Sequence, residues 1–102
     1  MANSKEQGVR RYQKENLERT ERELDKLYGE TLSFLTDSFD PHLAGSQRAW
    51  EQYRAAECDA EASAYEFARD SALAPFVKPS CLERMAKERM REVRYVFPIM
   101  GD

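Results

Sequence analysis

No run in this chain approaches the roughly 18 consecutive apolar residues that a membrane span requires. Residues 1–16 are polar and charged, without the apolar stretch of a secretory signal. Two readings follow: a cytosolic protein, or an exported one whose signal lies outside this sequence. Glycine and proline number four each, too few to turn a many-stranded sheet. There is one histidine, His42, and there are two cysteines, Cys58 and Cys81. They form no spaced ligand set, so no metal is expected, and the cysteines lack the Cys-X-X-Cys spacing of a redox pair. Basic excess is missing too. A net charge of −3 and a pI of 5.3 offer nucleic acid no basic patch.

Catalytic groupings are equally sparse. His42 has no nucleophile in its context, and Ser46 and Ser80 read as helix caps. The carboxylates Glu57, Asp59, Glu61, Glu66 and Asp70 could serve acid–base chemistry only in a cleft that separates their pKa values. A helical domain this small seldom has one. The expectation is therefore a protein that is not an enzyme and needs no cofactor.

What is present points to helices. The 102 residues make one domain, 34% charged and 41% hydrophobic, a balance that suits amphipathic helices with solvated outer faces. Residues 1–8 are expected to be disordered, residues 9–97 to form a single domain, and 98–102 to be a tail. Leu17, Leu24 and Thr31, flanked by Thr20, Leu27, Tyr28 and Leu35, recur at steps of three and four and predict a first helix from Val9. Asp40 and Pro41 signal the next start, as cap and first-turn proline. The second helix is expected to run to about Ala72, with Leu43, Gln47, Trp50, Tyr53, Arg54, Cys58, Glu61, Tyr65 and Ala68 inward. Pro75 and Pro79 read as breakers, and Ser80 with Glu83 as a capping box. The third helix is expected over 81–96, with Leu82, Met85, Ala86, Arg89, Val93 and Val96 inward. The fold class is all-α: a small antiparallel three-helix bundle with two long helices and a shorter C-terminal one. The two long helices are expected to pair as a hairpin.

The most informative stretch is 47–58, Gln-Arg-Ala-Trp-Glu-Gln-Tyr-Arg-Ala-Ala-Glu-Cys. Gln47, Trp50, Arg54, Glu57 and Cys58 share one helical stripe. A stripe mixing Trp with Arg and Glu predicts paired charges, because an unpaired buried charge is costly. A structural polar cluster is expected from Gln47, Trp50, Arg54, Glu57, Arg89 and Tyr28, with Glu57 the candidate partner of the two arginines. Cys58 and Cys81 fit one disulfide or two free thiols. The proline-containing connection lets the chain return far enough to join them, and a bridge would contribute ~3.4 kcal/mol in the chain-entropy model.

These residues resemble a known family. Leu24-Asp25-Lys26-Leu27-Tyr28, Leu43, Gln47-Arg48-Ala49-Trp50, Tyr53-Arg54-Ala55-Ala56-Glu57-Cys58, Cys81-Leu82, Arg89 and Arg94 resemble the lysozyme-inhibitor LprI-type domain over roughly residues 17–96. Asp25 stands where that family has Asn, Ala86 where it has Thr, and a further N-terminal cysteine pair common in the family is missing. The resemblance implies a helical, exported bacterial protein, periplasmic or secreted, with a Cys58–Cys81 disulfide.

It implies less about activity; the expected function is a protein-binding module that inhibits a basic lysozyme-type muramidase, and charge and loop placement make the expected block steric. Residues 31–80 carry four basic and eight acidic side chains, which would steer such a partner. Residues 36–43, with Phe39 and His42, are the candidate partner-binding loop, followed by 72–80. The alternative is a cell-envelope adaptor or an immunity protein that binds a different partner.

Overall fold

The computed structural model describes residues 4–34, 40–68 and 72–96. They form three helices, α1 (Ser4–Phe34), α2 (Asp40–Ala68) and α3 (Ala74–Val96), in an elongated body of 52 × 25 × 18 Å. α2 runs antiparallel to α3: Arg89 meets Ser46 and Gln47 at one end, and Lys78 meets Asp59 toward the other. α1 runs beside α3 in the same direction, from Gln13 against Ser80 to Leu24 and Leu27 against Val93.

The arrangement departs from the expected α1–α2 hairpin. α3, the shortest helix, is the central one, and α1 and α2 each pack along it. The physical reason lies in its side chains. Cys81, Met85, Ala86, Arg89, Met90 and Val93 are all buried and span an arc of about 180° at 100° per residue. An arc that wide accommodates two neighbours. The main core joins Leu24 and Leu27 of α1 to Ala86, Met90 and Val93 of α3. A second cluster joins Cys58 to Cys81 and Met85, and Trp50 packs against both.

Two boundaries move. α1 begins at Ser4 rather than Val9. α3 begins at Ala74, about two turns before Cys81, and carries Pro79 inside it. Proline costs a helix one backbone hydrogen bond and some crowding four residues back, here at Pro75, and packing against α1 outweighs that. The Phe76 N–H donates to the Leu73 carbonyl at 2.9 Å, closing the first turn. Ser80 is thus not an N-cap; its hydroxyl accepts from Gln13 instead, at 2.6 Å. Gln13 also donates to the Phe76 carbonyl at 2.9 Å, fastening α1 to the proline-containing turns. Leu35, Phe39, Asp70, the 98–102 tail and the side chains of Ala68 and Val96 lie outside the described residues.

Candidate functional site

Cys58 and Cys81 are joined, with Cα atoms 5.5 Å apart, inside the usual range for a disulfide. Both are buried. Met85 Sδ lies 3.8 and 4.0 Å from their sulfurs; with no thiol proton left, these are sulfur–sulfur packing contacts. The staple holds the middle of α2 against the second turn of α3.

One and two turns before Cys58 on α2 stand Arg54 and Trp50. The Arg54 side chain is only 12% exposed, and its Nη1 meets the Glu21 carboxylate at 2.8 Å. Its Nε and Nη2 donate to the Leu82 carbonyl at 3.2 and 2.8 Å. Arg54 therefore joins all three helices. Arg89, 11% exposed, donates from Nε to Gln47 Oε1 at 2.9 Å and from Nη2 to Ser46 Oγ at 3.1 Å. Its Nη1 lies 3.4 Å from the more exposed Glu92 carboxylate. The two guanidinium carbons stand 5.3 and 5.9 Å from the Trp50 ring centre, within cation–π range. Charged-group hydrogen bonds of this kind contribute about 1.5–3 kcal/mol each against leaving a partner unmade.

The structure thus gathers Gln47, Trp50, Arg54 and Arg89 at one place. Glu57 takes a different position from the one expected: Arg54 pairs with Glu21, and Glu57 lines a cleft with Arg84, Glu88 and Glu92. Position decides this, because Glu21 projects from α1 toward Arg54, whereas Glu57 sits on the outer side of α2. Tyr28 is half-buried on α1. His42 is exposed in the first turn of α2; Phe39 lies outside the described residues. Tyr53 and Tyr65, expected inward, are 59% and 44% exposed: Tyr53 because α2 has only α3 to bury against along most of its length, Tyr65 because it lines an open groove with Leu73, Phe76 and Val77.

The cleft between α2 and α3 has a volume of about 260 Å³ and is lined by Trp50, Tyr53, Glu57, Arg84, Met85, Glu88 and Glu92. Arg84 at its edge is turned onto Glu61 at 2.8 Å. The hydrogen bond from Arg84 holds the Glu61 carboxyl below the ordinary glutamate range, partial desolvation opposes it, and the Arg84 charge adds to the lowering. The same pairing raises Arg84. A second groove, lined by Arg10, Arg11, Gln13, Lys14, Leu17, Pro75 and Pro79, carries the opposite sign. Among the described residues, no group of three or more His, Cys, Asp or Glu is placed to hold a metal ion, and no helix is long and apolar enough to cross a membrane.

Neither Gln13 nor Glu21 stood out in the sequence. Gln13 continues the apolar stripe of α1 one turn before Leu17 as a polar residue, Glu21 flanks that stripe, and only the positions of their partners give them roles. Residues 1–93 match the family described as Lysozyme inhibitor LprI. No curated protein and no solved structure matches the chain.

Proposed function

The chain belongs to the LprI lysozyme-inhibitor family, and from that premise we propose that it is an exported, non-enzymatic protein-binding module that inhibits a lysozyme-type muramidase sterically. The observation that carries this beyond family membership is the charge of α2, which holds six acidic side chains against two basic ones. One of those two, Arg54, is spent on Glu21 and the Leu82 carbonyl inside the bundle. Asp59 and Glu61 pair with Lys78 and Arg84 of α3, so the anionic character of the outer side of α2, which suits a basic partner, rests on Glu51, Glu57 and Glu66. A disulfide in the core fits residence in the periplasm or outside the cell. The contact surface has two candidates: the α1–α2 connection with Phe39 and His42, and the outer face of α2 beside α3.

Cell-wall clearing assays with muramidases of several classes test the proposal. Slower clearing by at least one class is expected when the protein is present at micromolar concentration. No slowing of any class would sink it, and recovery of an unrelated envelope protein in a pull-down from periplasmic extract would favour an adaptor or immunity role.

A further inference from the structure

On α2, Tyr53, Glu57, Ala60, Ala64 and Phe67 follow one another at steps of four and three, so they form a stripe beside the core stripe. The stripe is open to solvent: Tyr53 is 59% exposed and Phe67 is 91% exposed. Scattered apolar residues in water need no explanation. Two aromatics on one stripe of a helix, of which Tyr53 lines the cleft that holds the single tryptophan, do call for one. The cleft wall brings Glu57, Glu88 and Glu92 around Trp50 and Tyr53. Of the cations there, Arg84 is held by Glu61 at 2.8 Å and lies 3.8 Å from Glu88, Arg89 lies 3.4 Å from Glu92 and beside the Trp50 ring, and Arg54 is engaged by Glu21, which leaves Glu57 and Glu88 as the carboxylates facing the opening. Carboxylates beside aromatic rings attract an ammonium or guanidinium group both by charge and by the ring quadrupole.

We propose that this α2–α3 face is the docking surface for a basic protein partner. A lysine or arginine of the partner enters the cleft beside Tyr53, Glu57 and Glu88, and Phe67 carries the apolar end of the contact. The inference rests on the inhibitor reading above and names the surface it uses in place of the α1–α2 connection. Charge complementarity selects the occupant. The groove holding Arg10, Arg11 and Lys14 is cationic, so the molecule offers a basic partner one attractive surface and one repulsive one, and its approach is oriented.

Two measurements test this. First, muramidase affinity is compared between the wild type, Tyr53→Ala, Glu57→Gln/Glu88→Gln and Phe39→Ala/His42→Ala, with folding checked by circular dichroism. Tyr53 and Glu88 are exposed and Glu57 is half-buried outside both core clusters, so these substitutions leave the core intact. Binding about tenfold weaker or worse is expected for the first two variants, with the third unchanged. Wild-type affinity in the first two with loss in the third moves the contact to the α1–α2 connection: the docking face is then overturned and the inhibitor reading stands. Second, Trp50, the only tryptophan, reports cleft occupancy by its fluorescence. Hexalysine is expected to shift its emission in low salt and hexaglutamate to leave it unchanged, with the shift lost in Glu57→Gln/Glu88→Gln. If no muramidase binds but this shift is seen, the inhibitor reading fails and the cation-accepting face stands. An emission that hexalysine does not move overturns the face, whatever the muramidase result.

Discussion

Replacing both cysteines by alanine removes the only covalent tie between helices and gives a number to compare with measurement. The bridge closes a loop with a sequence separation of 23. The chain-entropy model assigns such a loop ~3.4 kcal/mol through the unfolded state. The alanines also leave a small void beside Met85, 3.8 Å from the Cys58 sulfur. A thioether is flexible enough to fill much of it, so the packing loss adds on the order of 1 kcal/mol at most. The ion pairs flanking the bridge, Lys78–Asp59 and Arg84–Glu61, cannot replace it, because exposed pairs contribute roughly 0–1 kcal/mol each. The expected loss is therefore about 3–4 kcal/mol, which for a domain of this size lowers Tm by roughly 15–25 °C. Urea and thermal unfolding followed by far-UV circular dichroism measure it. The urea m-value should rise as well, because an uncrosslinked unfolded chain exposes more surface. A loss below about 1 kcal/mol with an unchanged m-value would refute the reasoning, since the bridge would then not be constraining the unfolded chain.

Arg89→Leu leaves the buried Gln47 Oε1 without its donor and should cost about 1–3 kcal/mol; adding Gln47→Leu should recover part of that, and a strictly additive double-mutant cycle in urea would contradict the pairing. Gln13→Ala frees the Phe76 carbonyl and the Ser80 hydroxyl, with about 0.5–1.5 kcal/mol lost and faster amide hydrogen exchange in the first turns of α1 and α3 than elsewhere. Because Arg84 lowers the Glu61 pKa in the folded state, this carboxylate stabilises the fold above the ordinary glutamate range, and the contribution fades as pH falls through the lowered folded value. The pair is exposed, so the gap between wild type and Glu61→Gln should be a few tenths of a kcal/mol near neutrality. Melting temperatures across pH should show that gap closing in acid, and a gap that widens there would count against the assignment.

The sequence carried the helices and the bridge, but not their order in space. Thr20, Leu24, Leu27 and Thr31 of α1 and Leu43, Gln47 and Cys58 of α2 are buried as their spacing predicts. Periodicity says which residues share a stripe; it does not say how many neighbours a helix has. Reading Tyr53 as inward assumed a second partner for α2, and it is exposed; Tyr65 lies on the inner stripe but near the end of α2, where it lines an open groove with Leu73, Phe76 and Val77. The opposite error occurred on α3, where Met90 was left out of a stripe drawn too narrow and is 7% exposed. The width of the apolar arc held the missing information. It is about 180° for the buried residues of α3 but about 60° for the buried Leu43, Gln47 and Cys58 of α2, at 100° per residue. Proline misled for a different reason: Pro79 marks a boundary in local terms, yet packing against α1 carries α3 through it. The Arg54–Glu21 pair spans α1 and α2 and leaves no local trace at all.

The central position of α3 explains why the exposed aromatics of α2 are not leftovers of a core. A helix between two others on the same hairpin would bury both flanks, and Tyr53 and Phe67 would then be half of an apolar contact. Here α2 has its inner stripe on α3, and its outer stripe meets water. The helix that bears the outer stripe is firmly anchored through its inner side. The disulfide fixes its middle, Arg54 ties it to both other helices, and Arg89 ties its N-terminal half through Gln47 and Ser46. A surface held this firmly loses little conformational freedom when a partner arrives, so more of the contact energy appears as affinity. Rigidity and exposure therefore coincide on α2. Under the steric inhibition proposed above, that is the physical argument for placing the contact on the α2–α3 face.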